Sequence, residues 1–245
     1  MPERRKIRLD LLLARRGLAR SRSHAQDLVR RGAVLIEGAP ATKAGVEVCE
    51  AAAVTVAVEP YVSRGALKLI AALDAFGFSP AGRDCLDVGA STGGFTQVLL
   101  ERGAARVLAV DVGRGQLAQS LRDDPRVAVH EGVDARAFAP PNPVGAIVVD
   151  VSFISALKVL PGALAHARAG AWLVVLVKPQ FEAGREAIGK NGVVRDPCAR
   201  AAAVKRVADC IAAQSGWRMR ASIPSPIAGQ DGNEEVLVGA TRDDG

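Results

Sequence analysis

Cys85-Leu86-Asp87-Val88-Gly89-Ala90-Ser91-Thr92-Gly93-Gly94-Phe95-Thr96 is the stretch that decides the fold. An apolar, strand-forming run meets an aspartate and a glycine-rich turn, and a helical segment follows over 94–102. Glycines let the backbone approach a ligand closely, and a helix start offers free N–H groups. Downstream, short β-rich runs recur at 107–110, 127–130, 146–149 and 173–177, with helical stretches near 64–77, 115–122 and 153–169. Such alternation predicts a parallel sheet covered by helices on both faces. A last helix over 198–215 stops at Gly216, and strands near 217–223 and 235–240 bring the expected sheet to seven strands. Residues 182–197 read as a long glycine-containing loop.

Upstream of residue 59 the pattern is different. Leu9, Leu12 and Leu13 have the i, i+3, i+4 spacing of a helix face, and Gly17 ends that helix. Ser21 or Ser23 can cap a second helix, which buries Ala25, Leu28 and Val29 and stops at Gly32. Strands follow at 34–36 and 54–58, separated by a turn at Glu37-Gly38. The expected division is a small α+β domain over 1–58, a linker over 59–63 at Glu59-Pro60, and an α/β domain over 64–245.

The 245 residues carry a net charge of +6 and are 49% hydrophobic, which excludes a disordered or fibrous chain. Residues 1–31 hold ten Lys and Arg against three acids, so the first domain carries most of the excess. That imbalance points to an anionic partner. The four cysteines lack metal-knuckle or disulfide-framework spacing, and a reducing compartment is expected. The charged start has no signal-peptide core, no apolar run reaches membrane-spanning length, and a cytoplasmic protein is expected.

The apolar runs end in ionisable groups: Asp87, Asp111, Asp134, Asp150 and Lys178. Ligands of doubly wound sheets bind beyond the carboxyl ends of the strands, so five such endings in succession mark a site. Three readings of the glycine-rich turn compete. A dinucleotide fingerprint wants GxGxxG, but Ser91 replaces its second glycine. A nucleophile elbow at Ser91 fits GxSxG, but it would put the charged Asp87 inside a buried strand. The third reading is the S-adenosylmethionine loop of a class I (Rossmann-like) methyltransferase. Asp87, Gly89, Ser91, Gly93, Gly94 and Phe95 would then form the loop, with Asp111 facing the ribose hydroxyls and Asp134 the adenine edge.

Asp150-Val151-Ser152-Phe153 stands where amino-directed methyltransferases carry D/N-P-P-Y/F, and it lacks the prolines. Lys178 ends the next strand. A carboxylate and an amine on neighbouring strand ends suit activation of a hydroxyl, which needs a base or a cation beside the forming alkoxide. Arg64 and Lys68, at i and i+4, share one helix face and repel unless an anion such as an RNA phosphate lies between them. No metal-ligand cluster is present in the pattern.

The ordered segments SRGALKL, LDVGASTGGFTQVLL, VVDVSFIS, VKPQFE, GKNGVVRDP and GNEE resemble the TlyA family, which bears the name hemolysin and is implicated in ribosomal RNA 2′-O-methylation. The segment RLDLLLARRGLARSRSHAQDLVRRGAVLIEG resembles an S-four-like RNA-binding domain. The C-terminal part is similar to FtsJ-type enzymes, which carry a Lys-Asp-Lys-Glu tetrad. The resemblance implies Lys68, Asp150, Lys178 and Glu235 as that tetrad, S-adenosylmethionine as methyl donor, and ribosomal RNA or ribosomal subunits, with cytidine the target, as partner. It also implies Lys178 as the group acting on the hydroxyl, held by Asp150 and Glu235, with Lys68 orienting the nucleotide. RNA grip is expected from Arg15, Arg16, Arg20, Arg22, Arg30, Arg31, Lys43 and Arg64. Two rival expectations are a membrane-active hemolysin and an RNA-binding adaptor on an inactive fold.

Overall fold

A computed structural model describes residues 5–30, 32–57, 61–229 and 231–243, apart from the side chains of Asp27, Arg185 and Lys190. Arg31, expected to touch RNA, lies outside the described residues, as do residues 58–60 of the expected strand end and linker. The chain divides into two compact units, Met1–Pro60 and Tyr61–Gly245.

The first unit holds β1 (Lys6–Arg8), α1 (Leu9–Arg15), α2 (Arg22–Arg30), β2 (Val34–Ile36), β3 (Ala39–Pro40), β4 (Glu47–Cys49) and β5 (Val54–Val56). Strand β1 pairs antiparallel with β4, and β3-β2-β5 form a second small sheet. Leu9, Leu12 and Leu13 of α1 are buried with Ala25, Leu28 and Val29 of α2, as their spacing requires. Ser21 Oγ accepts from His24 N at 3.1 Å and caps α2, while Gly32 stops it at φ 71°. Strands β1, β3 and β4 were not expected; each is at most three residues long, too short for a periodicity to register.

The second unit runs α3 (Gly65–Phe76), β6 (Asp84–Val88), α4 (Gly94–Glu101), β7 (Arg106–Asp111), α5 (Gln119–Arg122), β8 (Val127–Glu131), β9 (Val144–Val149), α6 (Leu160–Ala165), β10 (Ala167–Val177), α7 (Pro179–Glu182), α8 (Pro197–Ala212), β11 (Trp217–Pro224) and β12 (Val236–Arg242). Its seven strands lie in the order β11-β12-β10-β9-β6-β7-β8. The run β10-β9-β6-β7-β8 is parallel, and β12 is antiparallel to both its neighbours. Both faces are covered. Leu173, Val175 and Val177 of β10 enter the core under α6 and α8, whereas Trp172, Val174 and Leu176 face α3 and α4. Period-two alternation thus feeds two cores, and the strand reads as continuously apolar.

One expected helix, 153–169, is mostly not there. Pro161 fits only the first turn of α6, Phe153 takes a left-handed φ of 67°, and Ala167 already belongs to β10. The segment 153–159 is instead a loop with one 3-10 turn at Ala156–Lys158. The 182–197 stretch is a loop carrying two more 3-10 turns. No helix of the described residues is long and apolar enough to cross a membrane.

Candidate active site

Strand order brings distant residues into a row at the carboxyl edge of the sheet. Val88 neighbours Val149 across β6 and β9, Val149 neighbours Val175 across β9 and β10, and Val177 faces Val236 across β10 and β12. Gly89, Asp150 and Lys178 each follow one of these strands, and Glu235 precedes the antiparallel β12. Lys68, on α3, reaches the same place from above the sheet.

The four charged groups form two ion pairs. Lys178 Nζ lies 2.6 Å from Asp150 Oδ1, off-line for a hydrogen bond, and donates one to Ser152 Oγ at 2.8 Å. Lys68 Nζ donates to Glu235 Oε2, with both side chains at most 10% exposed. Glu235 was expected to hold Lys178; it holds Lys68 instead, and Asp150 and Ser152 hold Lys178. All four line one cleft of about 300 Å³ with Arg64, Ser91, Gly94, Phe95, Phe153 and Gln180.

A second cavity of about 570 Å³ adjoins the first, sharing Gly89, Ser91, Asp150, Ser152 and Phe153 with it. Its walls include Val110, Val112, Val133, Ile154 and Val159, with Asp111, Gln116 and Asp134 as polar groups. Asp111 accepts from Ser91 N at 2.8 Å and Gly113 N at 2.7 Å, one on each carboxylate oxygen. Each oxygen keeps a lone pair for a hydroxyl. Asp134 stays ionised because the Arg136 guanidinium, 3.0 Å away through Nε, holds its carboxyl down at about 2. An apolar slot edged by carboxylate acceptors fits the adenosine part of S-adenosylmethionine.

The glycine-rich turn is shaped by close approach. A Cβ on Gly89, at φ 87°, would stand 2.5 Å from the Asp150 carbonyl oxygen, so only glycine lets β6 leave the sheet beside β9. A Cβ on Gly93, at φ 97°, would strike Leu121 at 2.2 Å, so this residue packs the loop from behind and is not on either cavity wall. Asp87 also stays off both walls. It is fully buried, accepts from Thr96 Oγ1 at 2.6 Å, and braces the loop from below. Burial, opposed by the Thr96 hydroxyl and reinforced by Asp150 and Asp111, pushes its carboxyl up to about 7.

Four positions that line or brace the two cavities carry no mark as site residues in the sequence. Ser152 and Phe153 lie in DVSF, and Phe153 is 93% exposed with its ring centroid 5.9 Å from that of Phe181. Glu182 is buried and accepts from Ser155 Oγ at 2.5 Å and Ala156 N at 2.6 Å, tying the segment after Lys178 to the loop after Asp150. Their presence inside quoted motifs was the available signal. Glu131 had none. It accepts from the backbone N–H groups of Gly115, Gln116 and Leu117 at 2.7–3.0 Å and pairs with Arg122, shaping the loop that carries Gln116 to the donor cavity.

The arginines of the first unit fall into different classes. Arg16 is committed to the chain itself, donating to the carbonyls of Ala52 at 2.8 Å and Glu50 at 2.6 Å. Arg15 sits 3.6 Å from Glu50 and stays exposed. Arg22 is half exposed and pairs at 3.2 Å with Asp10, a fully buried carboxylate that also takes two bonds from Arg8 and one from Gln26. The Arg8 guanidinium, above all, holds the Asp10 carboxyl far below its ordinary range. Arg20, Arg30 and Lys43 are exposed. Arg64, in the second unit, is half-buried at the start of α3.

Known proteins show the same two-part organisation. The profile of the FtsJ-like methyltransferase family matches residues 61–242, and that of the S4 domain matches residues 7–54. A Mycobacterium tuberculosis protein named 16S/23S rRNA (cytidine-2′-O)-methyltransferase TlyA is 50% identical over 240 residues, covering 96% of this chain and 89% of its own. A Brachyspira hyodysenteriae protein named Hemolysin A is 38% identical, covering 95% of this chain and 98% of its own. The solved structure of a Streptococcus thermophilus protein described as a hemolysin superposes with a TM-score of 0.76 at 38% identity, covering 98% of this chain and 90% of its own. With the seven-stranded order, the paired lysines and the glycine-rich loop already in place, the chain belongs to the FtsJ-like methyltransferase family as a TlyA-type member.

Proposed function

We propose that this protein transfers the methyl group of S-adenosylmethionine to a ribose 2′-hydroxyl of ribosomal RNA, with cytidine as the target nucleoside. The observation that carries this reading is the convergence of Lys68, Asp150, Lys178 and Glu235 in one cleft that opens onto the donor cavity. Gly89, Ser91, Asp111 and Asp134 would hold the donor, which supplies a methyl carbon on a positively charged sulfur. The chain does the rest. Lys178, fixed by Asp150 and Ser152, takes the proton of the 2′-hydroxyl or stabilises its developing negative charge. Lys68, neutralised and aimed by Glu235, orients the nucleotide with Arg64. The exposed Phe153 ring gives the base a surface on which to stack.

The reading keeps the division of labour expressed in the sequence: grip on RNA from residues 1–58, transfer chemistry from 64–245, and a linker over 59–63. Ribosomal subunits are the proposed substrate, bound through Arg15, Arg20, Arg22, Arg30 and Lys43 and released by salt. The test is transfer of labelled methyl groups to intact ribosomes and separated subunits from an unmodified strain, followed by mapping of the product. Label on ribose, on one or both subunits, is expected, with Lys178→Ala slowing transfer by about 10²–10⁴-fold while donor affinity is kept. Label on a base, or a Lys178→Ala variant that transfers normally, would refute the reading.

A further inference from the structure

Three buried side-chain oxygens lack a hydrogen-bond partner among the described residues: Asp87 Oδ1, Asp150 Oδ1 and Gln180 Oε1. All three lie at the carboxyl edge of the same sheet. Unpaired buried acceptors are uncommon in folded proteins and each calls for a cause. Two have one already. Asp150 Oδ1 faces the Lys178 ammonium at 2.6 Å, and Asp87 is a carboxyl whose burial favours its protonated form. Gln180 is a neutral amide with no proton to gain and no hydrogen-bond donor on Oε1 among the described residues.

The residue lines the cleft, with Oε1 itself turned into the wall. Gln180 lies two residues beyond Lys178, in the first turn of α7, and lines the same cleft as the two ion pairs. Phe181 follows it, and the exposed Phe153 ring stands across from Phe181. A nucleoside with its 2′-hydroxyl at Lys178 and its base against Phe153 therefore brings a base edge toward the Gln180 amide. An amide offers one acceptor beside one donor group, and cytosine offers the matching pair, the exocyclic N4 amine beside the N3 acceptor. The terminal torsion of glutamine is broad, so Oε1 can turn from the wall to the base at little cost.

We infer that Gln180 reads the target base: its Oε1 accepts a hydrogen bond from the exocyclic amine of cytosine, and its Nε2 donates to N3. This rests on the proposed cytidine 2′-O-transfer. Uracil reverses the two edge groups, and an amide turned over about its broad terminal torsion meets them too, so it discriminates weakly. A pyrimidine lacking the amine altogether leaves Oε1 unpaired, and is the sharper probe.

The experiment compares kcat/KM on reconstituted ribosomal subunits whose mapped target is cytidine or its 4-desamino analogue, pyrimidin-2-one riboside. Loss of one hydrogen bond with a buried acceptor left unpaired predicts about a tenfold preference for cytidine in the unsubstituted enzyme. In Gln180→Met, which keeps the side-chain length, the preference should fall to within about threefold, since the lost bond supplied it. In Gln180→Glu, which keeps the acceptor, it should persist. Because each result is a ratio within one variant, a general loss of activity cancels. Should Gln180→Met be too slow to measure, the Gln180→Glu ratio decides. A Met variant that keeps the full preference, or a Glu variant that loses it, overturns the assignment. Absence of ribose methylation on the cytidine subunits by the unsubstituted enzyme overturns the underlying function instead.

Discussion

Replacing Asp87 by Asn should stabilise the second unit increasingly, relative to the unsubstituted protein, as pH rises from 4.5 to 8. Asp87 is wholly enclosed, with Thr96 as its hydrogen-bond donor on Oδ2 and none on Oδ1. Its carboxyl stands at about 7 in the folded protein, against 3.8 ordinarily, chiefly because burial disfavours the charge. The folded state therefore holds the proton more tightly than the unfolded chain does. Stability from this group is full below pH about 4, declines as pH climbs to about 7, and stays at its lower value beyond. At about 1.36 kcal/mol per pKa unit, the whole decline is about 4 kcal/mol, of which about 3 falls between pH 4.5 and 8. Asn cannot ionise and escapes this decline, although its unpaired amide donor costs about 1–3 kcal/mol at every pH. The measurable quantity is thus the change with pH in the difference between the two proteins. Both tryptophans, Trp172 and Trp217, are buried in the second unit, so urea unfolding followed by their fluorescence reports on that unit alone. A rise of about 3 kcal/mol in that difference is expected, equivalent to about 10 °C in Tm for a unit of this size. A difference that stays constant with pH would show that Asp87 ionises as readily in the fold as outside it, and the reasoning would fail.

Glu131→Ala should weaken S-adenosylmethionine binding about tenfold by calorimetry, because three backbone N–H groups of the 115–117 loop lose a charged acceptor. In the unsubstituted protein, the Leu117 N–H above all holds the Glu131 carboxyl down at about 2, so this support is complete above pH about 4.5 and is lost as pH falls toward 2. Glu182→Ala frees the Ser155–Ala156 turn and with it the Ser152 contact to Lys178. In single-turnover assays it should lower the transfer rate by about 10-fold or more at unchanged RNA affinity. Arg22→Ala should flatten the plot of log affinity for RNA against log salt by about 0.7–0.9, the share of one phosphate. Arg16→Ala should leave that slope alone and lower the melting temperature, since its guanidinium holds the Glu50 and Ala52 carbonyls. Equal slopes for the two variants would contradict this sorting.

The alternating pattern of the second unit was legible because strands buried on both faces are unbroken apolar runs, and polar residues mark where they end. Gly89, Asp111, Asp150 and Lys178 could be placed at one edge on that ground alone. Helix 153–169 misled because the loop after Asp150 is held by contacts to a distant residue: Glu182 anchors Ser155 and Ala156, and the chain between accepts a left-handed Phe153.

Partner choice in the tetrad was illegible for a related reason. A residue's neighbours in a sheet follow from strand order, and β12 inserts antiparallel between β10 and β11, so Glu235 arrives at the site from the start of its strand. Beside Val236, opposite Val177, it stands next to Lys178 along the edge, yet its carboxylate turns to α3 and meets Lys68. That choice makes electrostatic sense. Each buried lysine then has its own carboxylate, and neither ammonium is left uncompensated, which in a site this enclosed would cost more than either pair gains. Under the proposed function it also separates two tasks within one cleft. The Lys178 pair borders the donor cavity through Asp150 and Ser152, where the proton must be handled, while the Lys68 pair lines only the substrate side. A lysine that positions and a lysine that reacts can have different environments only if they do not share a counter-ion.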